Sequence, residues 1–391
     1  MKHIQDLDVT NKRVLMRVDF NVPMDANGAI TDDTRLLGVL PTLKFLIKKG
    51  TRIVLCSHCG RPKGQPQPKY SLAPAAKRLG ELLGQSVAMA PDCLGEPSMS
   101  LAAALKPGEI LLLENLRFHA EEQKNDPAFA KALAAFGEVY VNDAFAVSHR
   151  PDASVEGVTH FFKEKAAGFL LYNEIDFFNR AVTKPARPLV AILGGAKVSS
   201  KLSAIHNMLD RVDGMIIGGA MANTFLKAQG HEIGKSLVED DLLATANELL
   251  AYAKQKNISM HLPVDFVVAD AFAVEAQTRT VKLGDVPAEW MILDIGPATS
   301  AAFTQALSAA KTIVWNGPMG AFEMAPFAKG SMAMVQAVID SGALSIVGGG
   351  DTNVVINQAK AGDKVSYMST GGGAFLELME GKQLPGVTAL D

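Results

Sequence analysis

What most constrains the fold of this chain is the way its apolar runs end. Short Val/Ile/Leu stretches recur along it, and nearly every one stops at glycine, a basic residue or Asp/Asn. In the first half the endings read RVDFN at 17–21, CSHCGR at 56–61, ENLRF at 114–118 and NDAF at 142–145. In the second they read ILGGAK at 192–197, IIGGAM at 216–221, WNGP at 315–318, VGGGDT at 347–352 and STGGGA at 369–374. Continuous apolar runs that alternate with helical patterns indicate parallel strands buried on both faces. Such sheets bind ligands just beyond the carboxyl ends of their strands. One set of strand ends here is basic and carries His58; the other is glycine-rich. The first suits a compact anion held by side chains, the second a polyphosphate held by backbone.

The periodicity predicts strands near 13–19, 52–57, 110–114 and 139–142, with helices near 36–49, 73–83, 127–136 and 166–182. Beyond Lys184-Pro185 and Arg187-Pro188, strands are expected near 189–193, 214–217, 261–268, 291–295, 312–315, 344–347 and 364–368. Helices near 200–211, 220–228, 240–255, 300–309 and 328–341 separate them. Each proline pushes the residue before it out of helix, so a domain boundary belongs there. The fold class is α/β: two Rossmann-like lobes, each a parallel β-sheet flanked by helices, joined by a hinge helix.

Composition narrows the function. No apolar run is long enough to span a bilayer, and the opening residues lack a signal-peptide core, so no membrane role and a cytoplasmic location are expected. The first 185 residues carry 23 Lys/Arg against 21 Asp/Glu, the remainder 15 against 20. Neither half has the basic excess of a nucleic-acid binder. Three cysteines argue against a disulfide framework. Cys56 and Cys59 form a C-x-x-C, but a zinc site needs two more ligands and Cys93 stands alone, so the pair reads as coincidence.

Several glycine clusters after strands and before helices would present free N–H groups and the positive end of a helix dipole to phosphate. None matches a Walker A or a dinucleotide fingerprint. Lys197 and Lys201, four apart at a helix start, would share a face and oppose the dipole unless an anion lies between them. Asp351 fits two readings, a helix cap or the single carboxylate of a Mg²⁺ site completed by substrate phosphates. In the first half Arg35, His58, Arg61, Arg117 and Arg150 flank strand ends, with Asp19 and Asn21. Together they would form a concave positive site for carboxylate or phosphate.

RVDFNVP, SHCGRPKG, ENLRF, NDAFAVSHR, ILGGAKVSSK, GGAMANTFL, WNGPMGAFE, GGGDT and STGGGAFLE, in this order, resemble the motif series of the phosphoglycerate kinases. The resemblance runs from about Leu7 to Pro385. It implies a cytoplasmic, monomeric enzyme of glycolysis and gluconeogenesis. That enzyme transfers a phosphoryl group reversibly between 1,3-bisphosphoglycerate and ADP, giving 3-phosphoglycerate and ATP, with Mg²⁺ and with domain closure about the hinge. It further implies a 3-phosphoglycerate domain over 1–170, an interdomain helix and hinge over 171–188, a nucleotide domain over 189–375, and a segment over 376–391 that packs back on the first domain. Carried over by position, 3-phosphoglycerate falls to Asp19, Asn21, Arg35, His58, Arg61, Arg117 and Arg150. The nucleotide falls to Gly194, Gly195, Lys201, Asn316, Glu323, Gly349, Gly350, Asp351 and Thr352, with Asp351 on the metal. Arg35, Lys197 and the amides of Gly371 and Gly372 would surround the phosphoryl group in transfer. Cys59, Asp152, Met319 and Ala321 depart from the family's usual residues, and small effects on pocket packing are expected. Two rivals remain, a nicotinamide-dependent dehydrogenase and a non-catalytic phosphometabolite binder. The missing dinucleotide fingerprint argues against the first, and the presence of Arg35, Lys197 and Asp351 against the second.

Overall fold

The structure is a computed structural model that describes residues 1–391. The chain divides into two compact units, Met1–Ile175 with Gln383–Asp391, and Asp176–Lys382.

Unit 1 is built on β1 (Arg13–Arg17), β2 (Arg52–Cys56), β3 (Val87–Met89), β4 (Ile110–Leu112), β5 (Val139–Asn142) and β6 (Lys165–Ala167). They form one sheet in the order β3-β4-β2-β1-β5-β6, and every pairing is parallel. Parallel neighbours need crossovers, and helices Thr34–Lys48, Ala73–Leu83, Glu96–Ala104 and Pro127–Ala134 supply them. Val14, Met16, Ile53, Leu55, Ile110, Leu112, Val139 and Val141 alternate along the central strands and pack against Leu36, Val39, Leu43 and Leu46 of the first helix. Each such side chain, fully buried, contributes roughly 1.5–3 kcal/mol. The last nine residues close this unit: Gly386 donates its N–H to the Ser148 carbonyl (2.8 Å) and accepts from Asn142 Nδ2 (3.0 Å).

Unit 2 begins its strands with β7 (Leu189–Leu193), β8 (Gly214–Ile217), β9 (Ser259–His261), β10 (Asp265–Ala269), β11 (Thr278–Lys282) and β12 (Met291–Ile295). It continues with β13 (Thr312–Asn316), β14 (Leu344–Gly348) and β15 (Tyr367–Met368). Six of these make a second parallel sheet, β15-β14-β13-β7-β8-β9. All five residues of β7 and of β13 are buried, as strands covered on both faces require.

Three sequence expectations need correcting here. The single strand expected near 261–268 is two, because Pro263 cannot donate to a ladder and breaks the run between β9 and β10. β10 then leaves the parallel sheet and joins an antiparallel one, β11-β10-β12, which also takes the strand expected at 291–295. Asp265 fixes this turn by accepting the N–H groups of Ala298 (3.0 Å) and Thr299 (2.7 Å) at the start of helix Pro297–Leu307. The helix expected over 166–182 is a strand end, a helix (Phe169–Phe178) and a π-helical turn (Asn179–Thr183). Gly168 makes the break. A Cβ there would lie 2.3 Å from the Asp143 carboxyl group, which itself accepts from the Leu171 N–H (3.1 Å).

Candidate active site

In unit 1 the strand order sets β1 between β2 and β5, with β4 beyond β2, so their carboxyl-end loops share one sheet edge. Arg17, the last residue of β1, is fully buried. Its Nε donates to Ser154 Oγ (2.7 Å), its Nη1 donates to the Val18 carbonyl, and its Nη2 lies 3.3 Å from His58 Nδ1. Behind it Ser154 Oγ donates to Glu122 Oε1 (2.5 Å), and Glu122 is also fully buried. A buried guanidinium needs such partners, because an unpaired buried charge costs several kcal/mol.

His58 is buried beside this group. Burial first, and then the charges of Arg17, Arg117, Arg150 and Arg35, hold its pKa well below the ordinary histidine value. It is therefore neutral near pH 7 and can offer one donor and one acceptor. Asp19 forms an ion pair with Arg35, and its Oδ1 lies 3.8 Å from His58 Nδ1. Asn21 Oδ1 accepts the Gly60 N–H (2.8 Å), which joins the loop after β1 to the loop after β2.

Arg117 carries the strongest signal. Its Nη1 donates to the Gly60 carbonyl (3.0 Å), while its Nε and Nη2 are buried without a hydrogen-bond partner. Asp152 approaches only to 3.8 Å of Nη2. Burial, followed by repulsion from Arg150, pulls the Arg117 pKa down to about 10. Orphaned buried donors cost roughly 1–3 kcal/mol each, and an anion would satisfy them. Arg150 is half-buried with its Nε 3.3 Å from His149 Nε2, and Arg61 is exposed on the loop after Gly60. Six of the seven residues expected to hold the acid thus interact around the ends of β1, β2, β4 and β5, and Arg61 stands free at the rim. Arg17, Ser154 and Glu122 were not singled out from sequence. The available signal was Arg17 itself, a charge ending an apolar strand.

In unit 2 the glycine turns interlock. Gly195 donates its N–H to the Pro318 carbonyl (3.0 Å), and Met221 donates to the Gly195 carbonyl (3.0 Å). Gly195 has φ +112° and Gly317 +102°, and a Cβ on Gly194 would sit 2.1 Å from the Pro318 carbonyl oxygen. Only glycine fits this approach. Lys201 Nζ ties the turns together by donating to the carbonyls of Gly194 (2.6 Å) and Asn316 (2.9 Å). Burial draws its pKa down to about 8, against the pull of Asp351. Asn316 Nδ2 donates to the Gly348 carbonyl (2.9 Å), and Thr352 Oγ1 accepts the Gly317 N–H (2.7 Å).

Gly349, with φ +103°, is the N-cap of helix Gly350–Gln358. Asp351 lies exposed in its first turn and makes no capping hydrogen bond, so the cap reading fails. Gly371 is the N-cap of helix Gly372–Met379, and a Cβ on Gly372 would come within 3.9 Å of the Gly350 nitrogen. Two helix N-termini therefore converge, a strong setting for phosphate oxygens. Beside them lies a cavity of about 460 Å³ walled by Gly195, Gly219, Pro318, Met319 and Phe322, with Glu323 and Asp351 on its border. One expectation is overturned: Lys197 and Lys201 do not share a helix face. The helix starts at Leu202, with exposed Lys197 in the turn before it and Lys201 folded inward. Ser200 Oγ donates to the Lys197 carbonyl (2.8 Å) and holds that turn, a local bond that competes with helix.

Comparison with known proteins agrees with this geometry. The family model described as phosphoglycerate kinase matches residues 4–382. The phosphoglycerate kinase of Desulfotalea psychrophila is 58% identical over 391 residues, covering 100% of both chains. That of Geobacter metallireducens is 56% identical over 392 residues, covering 100% of this chain and 98% of that one. The solved phosphoglycerate kinase of Coxiella burnetii superposes with a TM-score of 0.92 at 43% identity, over 99% of this chain and 98% of that one.

Proposed function

The chain belongs to the phosphoglycerate kinase family, and from that premise we propose how its residues carry out phosphoryl transfer between 1,3-bisphosphoglycerate and ADP. The phosphoryl group leaves the acyl oxygen at C1 for a terminal phosphate oxygen of ADP; a carboxylate and ATP result, and the reverse reaction uses the same groups. Unit 1 holds the acid. The observation that carries this reading is the pair of buried guanidinium nitrogens of Arg117 that make no hydrogen bond, with Arg17 and Arg150 near and His58 neutral. Arg61 and Arg150 add reach at the rim, while Asp19 and Asn21 orient hydroxyl and carboxylate groups.

Unit 2 holds the nucleotide. The base enters the cavity walled by Gly195, Met319 and Phe322, with Glu323 reaching the ribose. The phosphates lie on the turns of Gly194, Gly195 and Gly349–Thr352, where the N–H groups at the start of helix Gly350–Gln358 and Lys201 face them. Asn316 keeps the turn after β13 in place through Gly348. Asp351 suits Mg²⁺: a lone exposed carboxylate beside a phosphate cradle is the donor set that ion takes, the remaining positions going to phosphates and water. The ion, when bound, neutralises the phosphates. Around the group in flight, Arg35, Lys197 and the amides of Gly371 and Gly372 stabilise charge on its equatorial oxygens. In-line transfer requires the two bound substrates to meet and water to be excluded, which assigns 171–188 as the hinge. Cytoplasmic residence and a monomeric state fit a glycolytic enzyme with three free cysteines.

The test is ATP-dependent formation of 1,3-bisphosphoglycerate from 3-phosphoglycerate, followed through NADH oxidation by glyceraldehyde-3-phosphate dehydrogenase. Turnover that requires both 3-phosphoglycerate and Mg²⁺ is expected. Tight binding of 3-phosphoglycerate without turnover would instead make the chain a phosphometabolite binder.

A further inference from the structure

Cys56 and Cys59 are buried thiols whose pKa values burial raises, that of Cys56 to about 12. Cys93 is different. It lies in the loop after β3, and the turn after β4 brings His119 onto it from another part of the chain. The ligand atoms of Asp92, Cys93 and His119 all lie within 4.8 Å of one another. His119 Nε2 is 2.7 Å from Asp92 Oδ1, and the Cys93 N–H donates to the same oxygen (2.6 Å). The cluster is held in place: Ser98 Oγ donates to the Asp92 carbonyl (2.7 Å), and the His119 ring packs on Phe129 with centroids 5.6 Å apart. Cys93 is fully buried, whereas Asp92 and His119 line an open cleft of about 770 Å³ that Glu114 also borders.

We propose that Asp92, Cys93 and His119 form a binding site for a divalent cation of the zinc class, separate from the Mg²⁺ that accompanies the nucleotide. A tetrahedral zinc ion, with bonds of about 2.0–2.3 Å, sets its ligand atoms roughly 3.3–3.8 Å apart. Small side-chain movements reach that spacing: the Asp92–His119 contact opens as the metal replaces their shared proton, and Cys93 Sγ closes in. The cleft supplies an entry path and a water for the fourth position. Thiolate and imidazole select zinc, cobalt or related ions over Mg²⁺ and Ca²⁺, which take oxygen. Binding through the thiolate releases the thiol proton of Cys93. Affinity therefore increases with pH.

Cobalt(II) is the probe, titrated into the reduced full-length protein while the near-ultraviolet thiolate-to-cobalt charge-transfer band is followed. The expected result is saturation at one equivalent, displacement by zinc, and tighter binding at higher pH. Cys93→Ser abolishes the band. His119→Gln, at a half-exposed position, weakens binding beyond the roughly 10–100-fold that loss of an outer-shell partner costs, and it carries the test if Cys93→Ser does not fold. Zinc also raises the unfolding temperature of the parent and not of His119→Gln. No band at one equivalent would mean that the cluster is only a hydrogen-bonded strut. A band that survives His119→Gln unweakened would place the metal on other groups. Either result overturns the site.

Discussion

Guanidinium groups packed close together repel each other, and in unit 1 Arg17, Arg117 and Arg150 are held in mutual range with His58 kept neutral among them. That arrangement is costly in the empty protein and favourable once an anion enters, so the function proposed above has these residues act chiefly on binding. Arg117→Ala or Arg150→Ala is expected to raise KM for 3-phosphoglycerate with little change in kcat, since the contacts persist from ground state to transition state. Arg35 and Lys197 differ. Lys197 is exposed, and Arg35 is tied to Asp19 while keeping about a third of its side chain accessible. Arg35→Ala and Lys197→Ala should each lower kcat by about 10²–10³, or roughly 3–4 kcal/mol, with much smaller changes in KM. Steady-state kinetics of the four variants decides this, and an Arg35→Ala enzyme with normal kcat would make Arg35 a positioning residue. The motif residues at this scale were legible because they punctuate strands. Arg17 was not, although it ends β1, because its role depends on Ser154 and Glu122 from distant loops. The Asp92–Cys93–His119 cluster escaped for the same reason: spacing along the chain says nothing about a ligand supplied from elsewhere.

Two buried carboxyl groups hold elements together, one in each unit. Asp143, after β5, accepts from Thr42 Oγ1 (2.6 Å) in the first helix and from the Leu171 N–H (3.1 Å) in helix Phe169–Phe178. Asp294, in β12, accepts from the N–H groups of Gly330 (2.7 Å) and Ile295 (2.9 Å) and so joins that strand to helix Lys329–Asp340. Burial pushes each carboxyl from its ordinary 3.8 to about 7. Between these values the folded chain keeps a proton that the unfolded chain has lost. The stabilisation tied to each group is full below about 3.8 and is lost as the pH rises through about 7. Unfolding free energy should therefore fall from pH 6 to pH 8 by on the order of 1 kcal/mol for each group. Asp294→Asn removes its share as read by the two tryptophans, both in unit 2, and Asp143→Asn removes its share as read by circular dichroism. An unchanged pH dependence in both variants would contradict this account. At this scale long apolar runs were read well, and β7 falls on the expected 189–193. The strands missed were β3 and β6, which are only three residues long, and β11, which is largely exposed and bears no apolar run. Helices Glu96–Ala104, Gly350–Gln358 and Gly372–Met379 were hidden by the proline and glycines at their starts.

Over the whole molecule, two units, each with a six-stranded parallel sheet, present different groups at their strand ends. The first offers buried arginine side chains at its strand ends, the second glycine backbone and helix N-termini. This division was legible because strand endings are local in sequence and parallel sheets place them along one edge. The antiparallel β11-β10-β12 sheet was not, since its hairpin replaces an expected return to the main sheet. On the function proposed above, acid and nucleotide bind to different units through different groups. The most direct measurement is calorimetric titration of 3-phosphoglycerate and of Mg-ADP, separately, into Arg117→Ala and Asp351→Asn full-length proteins. The account predicts a crossed result: Arg117→Ala loses affinity for 3-phosphoglycerate and keeps that for Mg-ADP, while Asp351→Asn does the reverse. Equal loss of both ligands in either folded variant would contradict it.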